Sequence, residues 1–193
     1  VNSDAVSQSG GNHIEGWFQL YKGESVMEFS ICMVNQSDLD ELTAVEAVCF
    51  PKEEAATREA LAARLDAFGN WFFAAKDENG KIIGMIDGMA TDEESIDDAM
   101  FEDASLHRED GAVQTVFGLD VLPAWRGKGV AGALMQAFTD AARQAGRRKV
   151  TLTCKEHLIG MYEHFGFTLI GRARSVHGGA EWFDMDLRLD GAK

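Results

Sequence analysis

One stretch of the chain has the residue types and spacing to hold a large anion. Arg126-Gly127-Lys128-Gly129-Val130-Ala131 follows the apolar run 117–122, which Pro123 stops, and leads into a helical pattern from Val130. Gly127 and Gly129 have no Cβ, so backbone N–H groups there can come against a phosphate while a helix start adds partial positive charge. Arg126 and Lys128 supply the formal charge, and together these features make a phosphate cradle. Residues 127–132 also satisfy G-x-G-x-x-G, the dinucleotide fingerprint. The strand that follows, 149–154, ends without the acid that fingerprint needs for a ribose. G-x-x-x-x-G-K-[ST] is absent from the turn, which excludes a nucleoside-triphosphate loop.

The elements that must position this turn are legible from periodicity. Residues 28–34 alternate weakly as a first strand, and Ser37 with Asp40 is the expected cap of a helix through Val48, with Leu39, Leu42 and Val45 on one side. That helix stops at Cys49-Phe50-Pro51. Thr57 caps a second helix that Gly69 ends, with Leu61 and Leu65 one turn apart. Residues 71–75 and 81–89 flank Asp77-Glu78-Asn79-Gly80, a strong hairpin signal. Between 91 and 110 nine acidic residues stand against one Arg108, and a short helix is expected around 95–106, with Met100 and Phe101 as its apolar edge. After the cradle, Val130, Leu134, Phe138 and Ala141 form a helical stripe closed by Gly146. A strand at 149–154, a short helix at 157–165 and two strands at 167–171 and 181–189 complete the chain. Residues 1–27 read as a mobile leader before a single domain at 28–193. The expected fold is α/β (α+β): a mixed, mostly antiparallel sheet of about six to seven strands with helices on both faces.

Composition narrows the partners. The 193 residues carry 18 basic and 32 acidic side chains, a net charge of −14. Such a surface repels nucleic acid and anionic membranes and favours a cationic small molecule. Cys32, Cys49 and Cys154 are too scattered for a disulfide framework, which implies a reduced, cytoplasmic setting, and the His residues show no metal-ligand spacing. No apolar run approaches a membrane span. A monomer or homodimer is expected.

The cradle also fits the pattern [Q/R]-x-x-G-x-[G/A], and in this it resembles the coenzyme A pyrophosphate loop of the GNAT superfamily of N-acetyltransferases. Tyr162-Glu163, followed by Gly166-Phe167, is similar to that superfamily's Y-E-x-x-G-F signature. Cys49-Phe50-Pro51, the acidic connector, Ser105-Leu106-His107-Arg108, the strand end at 152–155 and Gly178-Gly179-Ala180-Glu181-Trp182 look like arylalkylamine N-acetyltransferases and their microbial relatives. This likeness spans roughly residues 29–189.

The resemblance implies acetyl-CoA as co-substrate, no metal, and acetyl transfer to the primary amine of a small arylalkylamine or polyamine-like acceptor. A peptide or protein amine acetyltransferase and a non-catalytic acyl-CoA sensor are the alternatives. By the same resemblance Leu119, Val121, Arg126, Gly127, Lys128, Gly129, Val130 and Ala131 hold the coenzyme and the N–H near Leu119 polarises the thioester, while Phe50 and Pro51 with Met100 and Phe101 offer the apolar surface an aromatic acceptor needs and Glu54 a carboxylate for its cationic amine. Tyr162 is the expected general acid for the leaving thiolate. A phenol near pKa 10 stays protonated at neutral pH while a thiol titrates near 8.5, and a basic limb in the rate profile should report it. The family's histidine pair on the cradle strand is replaced here by Thr115 and Phe117. Glu53, Glu54, His107 and His177 are the candidates to take over its work.

Overall fold

The computed structural model describes residues 16–22 and 25–189. Among the described residues ten strands form two five-stranded sheets. The first sheet is ordered β1 (Gly16–Lys22), β2 (Ser25–Met33), β3 (Phe72–Asp77), β4 (Ile82–Asp87) and β7 (Gly118–Val121), and every neighbour is antiparallel. The second is ordered β5 (Ala90–Thr91), β6 (Val113–Val116), β8 (Lys149–Cys154), β10 (Phe183–Arg188) and β9 (Thr168–Arg172). In it only β6 and β8 run parallel. The expected mixed, mostly antiparallel class holds. The strand count is higher because β1 precedes the first expected strand and because the chain crosses between the sheets at Gly88-Met89 and again at Phe117, which sets β5 and β6 apart from β4 and β7. The run 81–89 therefore stops at Asp87, and β5 pairs in the other sheet.

The helices are α1 (Leu39–Cys49), α2 (Arg58–Phe68), α3 (Asp98–Glu102), α4 (Val130–Gln144) and α5 (Ile159–His164). Alternation along β3 shows why both sheet faces need a cover. Phe72 and Ala74 pack with Leu42, Val45, Leu61 and Leu65 of α1 and α2, whereas Phe73 and Ala75 pack with Leu134 and Phe138 of α4. None of the described helices is long and apolar enough to cross a membrane.

Several local expectations change. Residues 1–15 of the expected leader lie outside the described residues, while Gly16–Lys22 forms β1 and pairs with β2, Gly16 opposite Ile31. The cap before α1 is a box between Asn35 and Asp38 on a short 3₁₀ turn rather than Ser37 with Asp40, because the Asn35 side chain reaches the Ser37 N–H at 2.9 Å. The acidic connector is not one helix. Asp97 and Asp103 bond the N–H groups of Ala99 and Ser105, breaking the segment into α3 and a 3₁₀ turn at Ala104–Leu106. Thr57 caps α2 as expected, accepting from Ala60 N–H at 3.1 Å, and Gly80 closes the hairpin with φ +77°.

Candidate functional site

The two sheets part where the chain leaves β6 for β7. Val116 is still paired with Leu152 of β8, but from Gly118 onward the strand bonds β4. The antiparallel ladder fixes which way β7 faces. Leu122 N–H donates to Ile83 O at 2.9 Å, so Asp120 and Gly118 share its direction, toward β4. The N–H and C=O groups of Leu119 and Val121 turn to the other side, into the opening between β7 and β8. Two cavities occupy that opening, one of about 850 Å³ and one of about 530 Å³.

The larger cavity is lined by the cradle. Gly127, Gly129, Val130 and Ala131 border it with Arg126 and Val121. Gly127 has φ +70° and Gly129 φ +79°, left-handed values that side chains resist, and they turn the chain sharply into α4. A Cβ on Gly127 would meet no atom within 4 Å. The space beside this turn is therefore open cavity, and the first N–H groups of α4 border it; a pyrophosphate fits both features. Arg126 Nε donates to Val121 O at 3.0 Å, tying the turn back to β7. Lys128 does not line the cavity; its ammonium lies 5.3 Å from the Trp125 ring centroid.

Phe50, Glu54, Leu119, Leu158, Tyr162 and Trp182 border both cavities, so the two meet around them. Pro51 borders the larger one, and Glu53 borders neither. Tyr162, 7% exposed, is held edge-on by Phe165 and Phe167. Burial foremost, then Cys154 and Asp120, pushes its phenol well above 10.0. The phenol therefore stays protonated across the working range, which removes the expected basic limb. Cys154 is pushed up to about 11 by burial and is an inert thiol.

Two loops close over the smaller cavity. His177 Nε2 is 3.1 Å from Glu54 O, its ring stacks on Phe101 at 4.8 Å, and Trp182 Nε1 donates to His177 O at 2.9 Å. Lys155 Nζ meets the Glu54 carboxylate at 2.7 Å. The other sequence candidates go elsewhere. His107 Nδ1 accepts from Ala90 N–H at 3.1 Å and its Nε2 faces Glu109, so both ring nitrogens are engaged structurally. Thr115 is fully buried, its hydroxyl bonded to Met89 O at 3.0 Å. Phe117 lines the smaller cavity, with the Arg64 guanidinium 4.8 Å from its ring. Most of the connector acids are engaged as caps, hydrogen bonds or ion pairs, Glu94 to Arg148 and Lys149 among them, whereas Glu102 borders the smaller cavity.

Sequence reasoning missed Glu46, Arg64, Asp87 and Asp120. Glu46 and Arg64 line the smaller cavity; Arg64 Nη1 meets Asp87 Oδ2 at 3.1 Å and Nη2 meets Phe101 O at 3.1 Å. Asp87 is pushed up to about 6, burial outweighing Arg64. The available signal was an acid within each of two otherwise apolar strands, 82–87 and 118–121. No group of three or more His, Cys, Asp or Glu among the described residues could hold a metal ion.

A family model described as the acetyltransferase (GNAT) family matches residues 37–167. Among solved structures, the loading GNATL domain of CurA from Lyngbya majuscula is similar at 16% identity and a TM-score of 0.72, with 83% of this chain and 98% of that one covered. A GphF GNAT-like decarboxylase in complex with isobutyryl-CoA is similar at 23% and 0.70, covering 82% and 98%. yncA from Salmonella typhimurium, a putative acetyltransferase with its cofactor acetyl-CoA, is similar at 20% and 0.63, covering 86% and 96%. These likenesses, all under 25% identity, establish the fold.

Proposed function

The chain belongs to the acetyltransferase (GNAT) family, and from that premise we propose that it moves an acetyl group from acetyl-CoA to the primary amine of a small, arylalkyl or polyamine-like acceptor. The observation that carries this reading is the meeting of the two cavities at Tyr162. The coenzyme enters from the cradle side, its pyrophosphate on the N–H groups of residues 127–131 and beside Arg126. Lys128 adds positive charge from outside the cavity. The pantetheine arm runs along β7, and the Leu119 N–H polarises the thioester carbonyl. The amine enters from the other cavity and attacks the carbonyl carbon directly. As the C–S bond of the tetrahedral species breaks, Tyr162 gives its proton to the sulfur.

The smaller cavity supports an acceptor with an apolar or aromatic body and a cationic head. Phe50, Phe101, Phe117, His177 and Trp182 form its walls, with carboxylates from Glu46 and Glu54 among them. Contact between the loops carrying Glu54 and His177 encloses it, which favours a small molecule over a peptide chain. Acetyl-CoA with a panel of arylalkylamines, polyamines and peptides, read by free thiol, tests the proposal. Thiol release that depends on a small amine supports it. Release with peptides alone moves the acceptor class, and coenzyme binding without release from any amine leaves an acyl-CoA sensor.

A further inference from the structure

Direct attack leaves a proton on the amine nitrogen; neither His107 nor Thr115 borders the acceptor cavity to take it, and His177, which does, has its Nε2 engaged at Glu54 O and its ring stacked on Phe101. Carboxyl groups lie there instead. Asp87 and Asp120 project from β4 and β7 on the sheet face that α1 and α2 cover, beneath Glu46. A Cβ on Gly118 would lie 3.2 Å from Asp87 Oδ1, 3.3 Å from Asp120 Oδ1 and 3.9 Å from Glu46 Oε2. Three carboxyl groups thus crowd the one place on β7 that lacks a side chain. They are 1%, 1% and 4% exposed in that order. Arg64 is committed to Asp87 and Phe101, and both oxygens of Asp120 have no hydrogen-bond partner. Glu46 alone of the three borders the cavity, and its Oε1 accepts the Ala56 N–H at 2.7 Å.

We infer that Glu46, with Asp120 behind it, is the proton acceptor for the attacking amine, an inference that rests on the transfer reading above. As the C–N bond forms, the N–H proton passes to Glu46 and its electron pair stays on nitrogen. Asp120 then shares that proton across Gly118. The C–S electrons leave with sulfur, which takes the Tyr162 proton; the proton on the pair later returns to water through the cavity, and Tyr162 is reprotonated. Glu46 touches the amine and is catalytic, whereas Asp120 is a positioning residue that shares the accepted proton behind it. Asp120 is faced by Glu46 and Cys49 of α1, by Asp87 of β4 with Arg64 of α2 beyond it, and by Tyr162 of α5. Burial first, then the Glu46 charge, holds Asp120 well above the usual carboxylate range. Two carboxyls this close bind a first proton more tightly than a lone one would, so the ionised pair is a better base than a single carboxylate.

The test is kcat/KM against pH for wild type, Asp120→Asn, Glu46→Gln and Glu46→Asp, with circular dichroism confirming the fold and calorimetry the coenzyme affinity. Asp120→Asn should move the acidic limb down by about one pH unit or more, because Glu46 loses its charged neighbour. Glu46→Gln keeps an acceptor for Ala56 N–H but should lower kcat by ~10²–10⁴ and abolish the limb, with partial rescue in Glu46→Asp. Infrared difference spectra of the ligand-free protein should show a carboxyl deprotonating at the pH of the wild-type limb, a band lost in Asp120→Asn. An unmoved limb in folded Asp120→Asn, or wild-type turnover in Glu46→Gln, overturns the inference while leaving the transfer reading intact. Wild type that releases no thiol with any amine overturns both.

Discussion

Replacing Tyr162 with Phe removes one oxygen from the point where the two cavities meet. The ring is 5.9 Å from Phe167 and 6.3 Å from Phe165, edge-on to both and 7% exposed, so phenylalanine reproduces its packing. Stability should change by less than about 1 kcal/mol, and the coenzyme affinity should survive because the cradle is untouched. Loss of a general acid costs ~10²–10⁴ in rate. Both cavities open to solvent, so water substitutes in part and the lower end is expected, about 100-fold in kcat or roughly 2.7 kcal/mol of barrier. The acceptor KM should change less, because the hydroxyl acts on departure of sulfur rather than on amine binding. Steady-state thiol release gives kcat and KM, calorimetric titration with coenzyme A gives the affinity, and a thermal melt gives stability. With the phenol held well above 10.0, neither wild type nor variant should show a basic limb from this residue. Wild-type turnover in a folded Tyr162→Phe protein would make Tyr162 a core aromatic and refute the general-acid assignment.

Arg126→Glu should weaken coenzyme A binding at least about tenfold by repelling the pyrophosphate and freeing Val121 O, read by calorimetry; an unchanged affinity moves the phosphate site elsewhere. Gly129→Val should weaken binding and also destabilise the fold by roughly 1–2 kcal/mol, because φ +79° is strained for a β-branched residue; a melt at the wild-type temperature refutes that. Glu54→Gln should raise the KM of a cationic acceptor about tenfold, whereas Glu53→Gln, outside both cavities, should leave it unchanged; equal effects would deny Glu54 a place in the site. Asp87 binds its proton more tightly folded, near 6, than at its ordinary 3.8, so its effect on stability is lost as pH rises through that window, by about 3 kcal/mol. Glu94, Asp103 and Glu109 are shifted down and act oppositely, but they are exposed and weak. Urea melts should therefore show wild type losing stability between about pH 4 and 6. A steady gain over that range would refute the argument.

The cradle was legible because everything that shapes it is local. Pro123 ends the strand, two glycines supply left-handed turns, and α4 follows at once, so a few consecutive residues determine the geometry. The Asp77–Gly80 turn, the Thr57 cap and the Tyr162 helix were readable for the same reason. Connector acids were not, since an aspartate that caps the residues just after it and a glutamate that pairs with Arg148 look alike in a charge run.

By itself, then, the sequence determined the class of fold, the glycine-bearing turn into α4 and the short helix that carries Tyr162, all set by backbone preferences over a few residues. Only the tertiary structure decided which acids gather beside the smaller cavity. Glu46, Asp87 and Asp120 lie far apart in the chain, and none of them alone shows that it meets the others. They become one buried group because α1 and α2 cover the sheet face on which β4 and β7 carry their acids, and because Gly118 leaves room for three carboxyls. The same packing drew Glu54 to Lys155 and Thr115 to Met89. Those pairings follow from which surfaces exclude water when the helices dock, a non-local outcome that no short run of residues encodes.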